Sequence, residues 1–330
     1  MARPSSALLT AFLFSVALAA AVQARASDDA VTLVDDPAAG CLKINATGRT
    51  LVAYRYGGVD LPHFFPILSP SGKSLTIDRT EPYPHHRSLW FADTVALAGH
   101  RQASFYNALY TQLDPKDPKS PFRDHIRHVR FLSPRSSGNQ AEYEEALVWE
   151  MDRDVPVIDE SRRVRLVLLG RGQYLLDLSF TLTASHGDVA FASDATHYAW
   201  PFVRMNPQFS VDKGGTITSS AGGVNQKGTD KQRARWVDYS STVDGVTEGL
   251  AFLTHDRDEP PPTWLTRDYG TFGVRRADSR NGKPFTLAQG QSLHQRVGIL
   301  VHRGDVKAGW VAERYWQYVG NALSQPPVVE

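Results

Sequence analysis

The sequence predicts an all-β protein, a large antiparallel β-sandwich with a helix at its C-terminus. The first observation is alternation of apolar and polar residues with a period of two, clearest at 174–183, where Leu176, Leu178, Phe180 and Leu182 share one face. The second is that clusters of Pro, Gly, Ser and Asn separate such runs, at 70–72, 136–139, 170–172, 222–223 and 281–282. The third is the scarcity of helical periodicity. Together these features are typical of an antiparallel sandwich.

Other segments fit the same architecture. Short alternating runs predict strands at 50–56, 141–149, 163–169, 249–253 and 293–301. The helix is predicted from Asp305 as its N-cap, because Val311, Tyr315, Tyr318 and Val319 fall on one stripe at helical spacing. Proline-rich stretches at 82–87, 114–121 and 256–262 predict loops, which is where a sandwich carries its binding residues.

Residues 1–26 have the pattern of a cleaved secretory signal peptide. Arg3 supplies a positive charge, 8–22 is an apolar run of about 15 residues, and Ala24-Arg25-Ala26 fits the small-x-small cleavage rule. A membrane-spanning helix needs roughly 20 apolar residues, and no later segment approaches that length. We therefore expect export to the periplasm or beyond, with residues 27–330 forming one sandwich domain and no membrane attachment after cleavage.

Composition removes several classes of protein. The net charge is only +1 over 330 residues, and no run of like charge suggests a nucleic-acid partner. Cys41 is the only cysteine, so no intrachain disulfide forms, and its place in a strand-like segment favours a buried thiol over a catalytic one. The 7 Trp and 12 Tyr suit a carbohydrate site, and equally an ordinary β core.

The most distinctive local feature is His85-His86-Arg87, followed closely by Trp90. Two imidazoles provide a general acid or base near neutral pH, so His85 and His86 are candidate catalytic residues. Arg87 is a candidate to bind a carboxylate through its planar fork, and Trp90 to stack on a sugar ring. A purely structural role for this loop is the alternative.

A second group follows a strand that ends near residue 253. His255, Asp268 and Tyr269 are candidate catalytic residues there, and Trp264 and Arg267 are candidate substrate contacts. Solvated loop charges are the alternative explanation for this group.

His128 and Arg204 complete the candidate substrate contacts. His125 and His128 are three residues apart, so on a strand they face opposite sides and would not chelate one metal together. The H-E-x-x-H, G-x-S-x-G, P-loop and dinucleotide motifs are absent. No metal ligands and no cofactor are predicted, although a divalent metal held by scattered histidines stays open.

From about residue 50 to 318, the chain resembles the PmoA-like family of uncharacterised proteins. The resemblance rests on the segments 84–91, 251–256, 264–270 and 287–305. The family's V-N-G-x-D-F-W stretch is missing, and 94–107 ends instead in Phe105-Tyr106-Asn107. This departure leaves no family role to transfer to that segment.

The family's name refers to a methane oxygenase, which is an integral membrane protein, and the present chain has no spanning segment to match it. The resemblance implies instead a galactose-mutarotase-like β-supersandwich. That fold is shared by sugar epimerases, glycoside-processing enzymes and polysaccharide lyases, so by itself it assigns no reaction.

The function predicted is cleavage of a glycosidic bond in an exported oligo- or polysaccharide, with elimination on a uronate slightly favoured over hydrolysis. Arg87 or Arg267 would neutralise the uronate, and a histidine or Tyr269 would move the proton. Hydrolysis needs two carboxylates instead, for which Asp256, Asp258 and Asp268 are candidates. A sugar epimerase or mutarotase and a non-catalytic glycan-binding protein are the alternatives.

Overall fold

The computed structural model describes residues 30–191, 198–255, 260–275 and 285–323, so the predicted signal peptide at 1–26 lies outside the described residues. The described strands are β1 (Thr32–Asp36), β2 (Cys41–Ala46), β3 (Arg49–Arg55), β4 (His63–Ile67), β5 (Leu89–Trp90), β6 (Thr94–Leu97), β7 (Gln102–Ser104), β8 (His125–Ser137), β9 (Gln140–Met151), β10 (Val155–Gly170), β11 (Gln173–Thr183), β12 (Val189–Phe191), β13 (Phe202–Arg204), β14 (Thr216–Ser219), β15 (Trp236–Val243), β16 (Val246–Thr254), β17 (Trp264–Thr266), β18 (Thr271–Val274), β19 (Phe285–Leu287) and β20 (Ser292–Arg303). The helices are α1 (Asn225–Thr229), α2 (Val311–Val319) and the 3₁₀ helices Phe105–Thr111, Pro207–Phe209 and Val211–Lys213.

The strands form two large sheets and a small one. The first sheet has the order β1-β2-β3-β4-β5-β13-β18-β17, and the second has the order β14-β15-β16-β20-β11-β10-β9-β8. A four-stranded sheet, β19-β12-β6-β7, completes the described part. Neighbouring strands pair antiparallel, for example β10 with β11 and β11 with β20. The prediction of an all-β antiparallel protein is therefore confirmed.

The two large sheets pack face to face around one apolar core. The Phe272 ring of β18 lies 5.2 Å from that of Phe252 on β16, and Phe91, which follows β5, stacks on Phe180 of β11 at 4.5 Å. Each of the apolar residues predicted to share one face of β11 is at most 2% exposed, namely Leu176, Leu178, Phe180 and Leu182. Burial of these faces in one layer is what defines a sandwich.

The C-terminal helix is also confirmed, with a later start. The Asp305 carboxylate accepts hydrogen bonds from the N–H groups of Lys307 and Ala308, so it caps a preceding turn, and α2 begins at Val311. The predicted stripe is buried against Leu175, Ala251, Leu253 and Leu300 of the second sheet. Neither α-helix in the described part of the chain has the length and apolar character that crossing a lipid bilayer requires.

Strand alternation in the first sheet decides which side chains reach its outer face. Leu89, Val203 and Phe272 are cross-strand neighbours, and Phe272 contacts the second sheet, so these three point into the core. The residues that alternate with them point outward, namely Trp90, Phe202, Arg204 and Thr271. The loop before β5 and the 3₁₀ helix Phe105–Thr111 cover this outer face.

Candidate functional site

The loop at 82–87 folds over the outer face of the first sheet and places His86 against Trp90. The His86 side chain is 4% exposed, and its ring lies 5.5 Å from the Trp90 ring. On its other side it stacks on the Tyr83 ring at 4.9 Å. Trp90 in turn stacks on Phe202 at 5.0 Å, so strand pairing and aromatic packing together fix the position of His86.

The hydrogen bonds of His86 hold a neutral imidazole. Its Nε2 lies 3.0 Å from the Tyr106 hydroxyl, and its Nδ1 lies 3.4 Å from the Thr271 hydroxyl. Burial, with His85 and Arg204 nearby, lowers the pKa of His86 to about 3. A neutral imidazole has one donor and one acceptor nitrogen, which matches two hydroxyl partners.

Arg204 lies beside this histidine, and no carboxylate among the described residues forms an ion pair with it. Its side chain is 4% exposed, and its guanidinium carbon sits 4.5 Å from the centroid of the Tyr269 ring. Nη1 donates to the carbonyl of Tyr269 at 2.9 Å and to the Thr271 hydroxyl at 3.3 Å, while the buried Nε has no acceptor among the described residues. Burial lowers the pKa of Arg204. A guanidinium enclosed without a carboxylate is energetically unfavourable, and an anionic group would relieve that penalty.

Four rings surround these buried groups at the surface, and we call Tyr83, His85, Tyr110 and Tyr269 the aromatic surface. Tyr83 is 37% exposed and Tyr110 60% exposed, whereas His85 and Tyr269 are half-buried. The Tyr83 ring lies 5.4 Å from Tyr269 and 6.2 Å from His85, and the His85 Nδ1 lies 3.0 Å from the Tyr110 hydroxyl. Burial raises the pKa of Tyr269, so its phenol is protonated at neutral pH. Exposed rings with polar edges suit the mixed polar and apolar faces of a sugar.

Five of the predicted site residues meet here: His85, His86, Trp90, Arg204 and Tyr269. The sequence reasoning missed Tyr83, Tyr106 and Tyr110. Tyr83 lies between the two prolines of the loop at 82–87, and this position was the sequence signal that could have identified it. Tyr106 lies in the segment 94–107, to which no family role was transferred, so the sequence carried no signal for it.

Arg87 does not take the predicted role of a substrate contact. Its side chain is fully enclosed and forms an ion pair with Asp60, and its Nη1 lies 3.7 Å from Asp78 Oδ1. Because this side chain is 0% exposed and paired with Asp60, it presents no surface to a ligand. The residue next to His86 is thus an interior ion-pair partner.

Three residues of the second predicted group, Trp264, Arg267 and Asp268, brace a loop instead of forming a site. Trp264 is 0% exposed and donates its indole N–H to a backbone carbonyl. Arg267 pairs with Asp230 at 2.8 Å, and the Asp268 carboxylate accepts from the backbone N–H of Gln226 at 2.8 Å. These contacts fasten the β17–β18 connection to α1 and its surroundings.

The other two predicted histidines lie in separate cavities. His255 lines a cavity of about 290 Å³, with its Nε2 2.9 Å from Arg296 Nη1 and its ring 5.2 Å from Tyr318. His128 lines a cavity of about 580 Å³ and contacts Glu145. The predicted carboxylates Asp256 and Asp258 lie outside the described residues. Within the ranges that the structure describes, no three His, Cys, Asp or Glu side chains are grouped to hold a metal ion.

Fold and site together define an antiparallel β-sandwich with an aromatic surface around a buried histidine and arginine. The chain belongs to the family of unknown function DUF6807, whose model matches residues 41–317. That match does not carry the PmoA-like name, so the finer resemblance stays a prediction. No curated protein matches the chain.

Similar solved structures include proteins that act on sugars. The GH36 α-galactosidase AgaB from Geobacillus stearothermophilus gives a TM-score of 0.47 at 9% identity, covering 84% of this chain and 42% of that one. The galactosidase domain of the α-galactosidase-sucrose kinase AgaSK gives 0.46 at 8%, covering 84% and 42%. A galactose 1-epimerase from Lactobacillus acidophilus NCFM gives 0.37 at 8%, covering 83% and 99%. The chain spans about two fifths of the length of these galactosidases. At this level of similarity, none of their activities is transferred to it.

Proposed function

We propose that this chain is an exported carbohydrate-active enzyme that cleaves a glycosidic bond in a uronate-containing glycan by elimination at the aromatic surface. The observation that carries the proposal is Arg204, buried without a carboxylate among the described residues and adjoining histidine and tyrosine side chains. A uronate supplies the missing negative charge, and its pyranose ring supplies a face for the aromatic side chains.

The reaction divides among three side chains. Arg204 binds the substrate carboxylate, and this neutralisation makes the adjacent C–H more acidic. His85, half-buried at the surface, takes that proton, and the electron pair forms a carbon–carbon double bond while the bond to the glycosidic oxygen breaks. Tyr269 gives its phenolic proton to the departing oxygen, since burial keeps that phenol protonated. His86 is enclosed and acts as a positioning residue, 4.6 Å ring to ring from His85.

The same geometry favours elimination over hydrolysis. Hydrolysis of a glycoside uses two carboxylates facing the scissile bond. The Asp268 carboxylate is turned to the backbone of α1, and among the described residues no carboxylate binds His86 or Arg204. The groups gathered here are those of proton transfer by imidazole and phenol.

Non-catalytic glycan binding is the second candidate, and the exposure of Tyr83 and Tyr110 is the observation that favours it. Two exposed tyrosines that both lie beside His85 bind a sugar by stacking without any bond being broken. In that case the histidines would only hold the rings in place.

The two candidates separate in one experiment. The mature chain is incubated with a panel of uronate glycans and neutral glycans, and the unsaturated product is followed by its ultraviolet absorbance. We expect product only from uronates, a loss of at least a hundredfold in His85→Ala, and full activity in Trp316→Ala, which removes an exposed ring elsewhere. Binding of uronates without product would overturn elimination and leave the binding role.

A further inference from the structure

A second cavity, of about 580 Å³, lies at the start of β8, between the segments 56–59, 118–122 and 125–128. Its volume is within the range of small-molecule sites. None of the aromatic-surface residues lines it. The connection at 105–124 contributes Tyr106 and Tyr110 to the site around His86 and contributes part of the wall of this cavity. The proposed function leaves this cavity unused.

One imidazole in its lining is held in a fixed orientation. The His128 Nδ1 lies 2.6 Å from Oε1 of Glu145, and the Glu145 side chain is 0% exposed. Because the carboxylate accepts this bond, Nδ1 carries the proton. The polar contacts of His128 with the described residues are on Nδ1, and Nε2 has no hydrogen-bond partner among them. A histidine backed by a carboxylate on one nitrogen has its other nitrogen set for a ligand.

The carboxylate behind the imidazole is itself fixed. Tyr54 donates its hydroxyl proton to Oε2 of Glu145, and Arg162 donates to the Tyr54 oxygen at 2.8 Å. Arg162 also pairs with Glu160 at 2.8 Å, so those two charges balance each other. Glu145 therefore adds one negative charge behind His128, which disfavours an anionic ligand in front of it.

Apart from Lys119, the remaining charged or apolar parts of the lining are neutralised or apolar. The Tyr56 ring lies 4.5 Å from the His128 ring, and Pro118, Pro121 and Phe122 complete an apolar wall. Arg127 is tied to Glu150 by two bonds of 2.9 and 2.6 Å.

Two further basic residues belong to the lining. Burial lowers the pKa of His125, so its ring is neutral at neutral pH. Lys119 contributes an ammonium group at an exposed position. The lining thus joins apolar faces to one nitrogen that accepts a hydrogen bond, with Lys119 as its exposed positive charge.

We infer that this cavity is a second ligand site, which takes the ring of an uncharged saccharide. The apolar faces of the sugar pack on Tyr56 and the proline wall, and a sugar hydroxyl donates to Nε2 of His128. This inference does not rest on the proposed elimination, because the two sites share no lining residue.

The test uses the mature chain and NMR of its histidine side chains. Neutral methyl glycosides of glucose, galactose and mannose are titrated, with glucuronate as the anionic arm. We expect a saturable shift of the His128 Nε2 resonance with at least one neutral glycoside and weaker binding of glucuronate. His128→Ala should weaken binding roughly tenfold. His100→Ala, which removes an exposed histidine in a turn, should leave it unchanged.

A second variant guards against a folding defect in His128→Ala. Val59→Trp fills the cavity from its half-buried wall without touching the bond between His128 and Glu145, and it should abolish the shift in a chain that still unfolds cooperatively. Tyr110→Ala should leave this binding intact even if it weakens binding at the aromatic surface. No saturable shift with any neutral glycoside, stronger binding of glucuronate, or undiminished affinity in both cavity variants would overturn the inference.

Discussion

Arg87, just before the first sheet's β5, and Arg204, at the end of β13, are both buried but have opposite surroundings. Arg87 precedes β5 and Arg204 ends β13, which pairs with β5. Their side chains are 0% and 4% exposed. Arg87 meets the carboxylates of Asp60 and Asp78, whereas Arg204 meets a tyrosine ring, a carbonyl and a hydroxyl.

The difference shows that burial alone does not separate a structural charge from a functional one. A buried guanidinium with its carboxylate is a closed pair, and removing one partner leaves the other charge stranded. A buried guanidinium without a carboxylate already carries that penalty in the folded chain, and a ligand can remove it. The lack of an ion-pair partner among the described residues is therefore the feature on which the proposed role of Arg204 rests.

The largest effect is expected when the ion pair between Arg87 and Asp60 is broken. Asp60→Ala strands the guanidinium of Arg87 and should lower the free energy of unfolding by about 3–5 kcal/mol. Denaturant-induced unfolding measures the change. Asp244→Ala is the control, because Asp244 is 82% exposed in its pair with Lys73 and should cost less than about 1 kcal/mol. An equal, small loss in both variants would mean that Arg87 is not held by its carboxylate.

The next effect concerns the histidine beside Arg204. Unfolded His86 takes up a proton below its ordinary pKa of 6.5, while folded His86 does so only near its pKa of about 3. Between these values the unfolded state binds more protons, so stability falls as the pH is lowered from 6.5 towards 3. At pH 5 the loss from this residue is roughly 2 kcal/mol.

The measurement for His86 is the pH dependence of the free energy of unfolding in the wild type and in His86→Gln. The variant should lose stability less steeply between pH 6.5 and 4. Parallel curves for the two proteins would show that the pKa of His86 is not lowered, and that a countercharge reaches this site after all.

Much of the fold could be predicted from the sequence because strand alternation is local. The apolar face of β11 and the stripe of α2 follow from spacing within a few residues. The start of α2 could not be predicted in this way, since Asp305 caps a neighbouring turn equally well.

The site was predictable only in part because countercharge is a tertiary property. No local sequence pattern near Arg87 indicates its pairing with Asp60, 27 residues away. Likewise, no local pattern near Arg204 indicates that it forms no ion pair with the described residues. The loop at 82–87 was identifiable from its composition. Tyr110 of the aromatic surface and Tyr106, which contacts His86, come from the 3₁₀ helix Phe105–Thr111, and no local pattern predicts where this helix lies over the sheet.

A substitution with a smaller expected effect tests Arg204 directly. Arg204→Met removes a charge that has no ionic partner among the described residues, so stability should change by less than about 1 kcal/mol or rise. Affinity for a uronate oligosaccharide, measured by calorimetry, should fall roughly tenfold, or about 1.4 kcal/mol. Affinity for a neutral oligosaccharide of equal length should not change. Marked destabilisation with unchanged affinity would assign Arg204 to the same structural class as Arg87.

The smallest effect separates stacking from charge. Tyr110→Ala should weaken saccharide binding at the aromatic surface by about 1 kcal/mol for uronate and neutral sugars alike, because stacking on a ring does not depend on the charge of the sugar. Trp316→Ala is the matched control, since both side chains are 60% exposed and their removal should leave stability nearly unchanged. A loss confined to uronates in Tyr110→Ala would mean that the ring acts through its hydroxyl bond to His85, and the anionic site would then extend beyond Arg204. A loss shared by both kinds of sugar would assign charge recognition to Arg204 and stacking to the rings. Arg204 would then distinguish uronates from neutral sugars, whereas the aromatic surface would bind both.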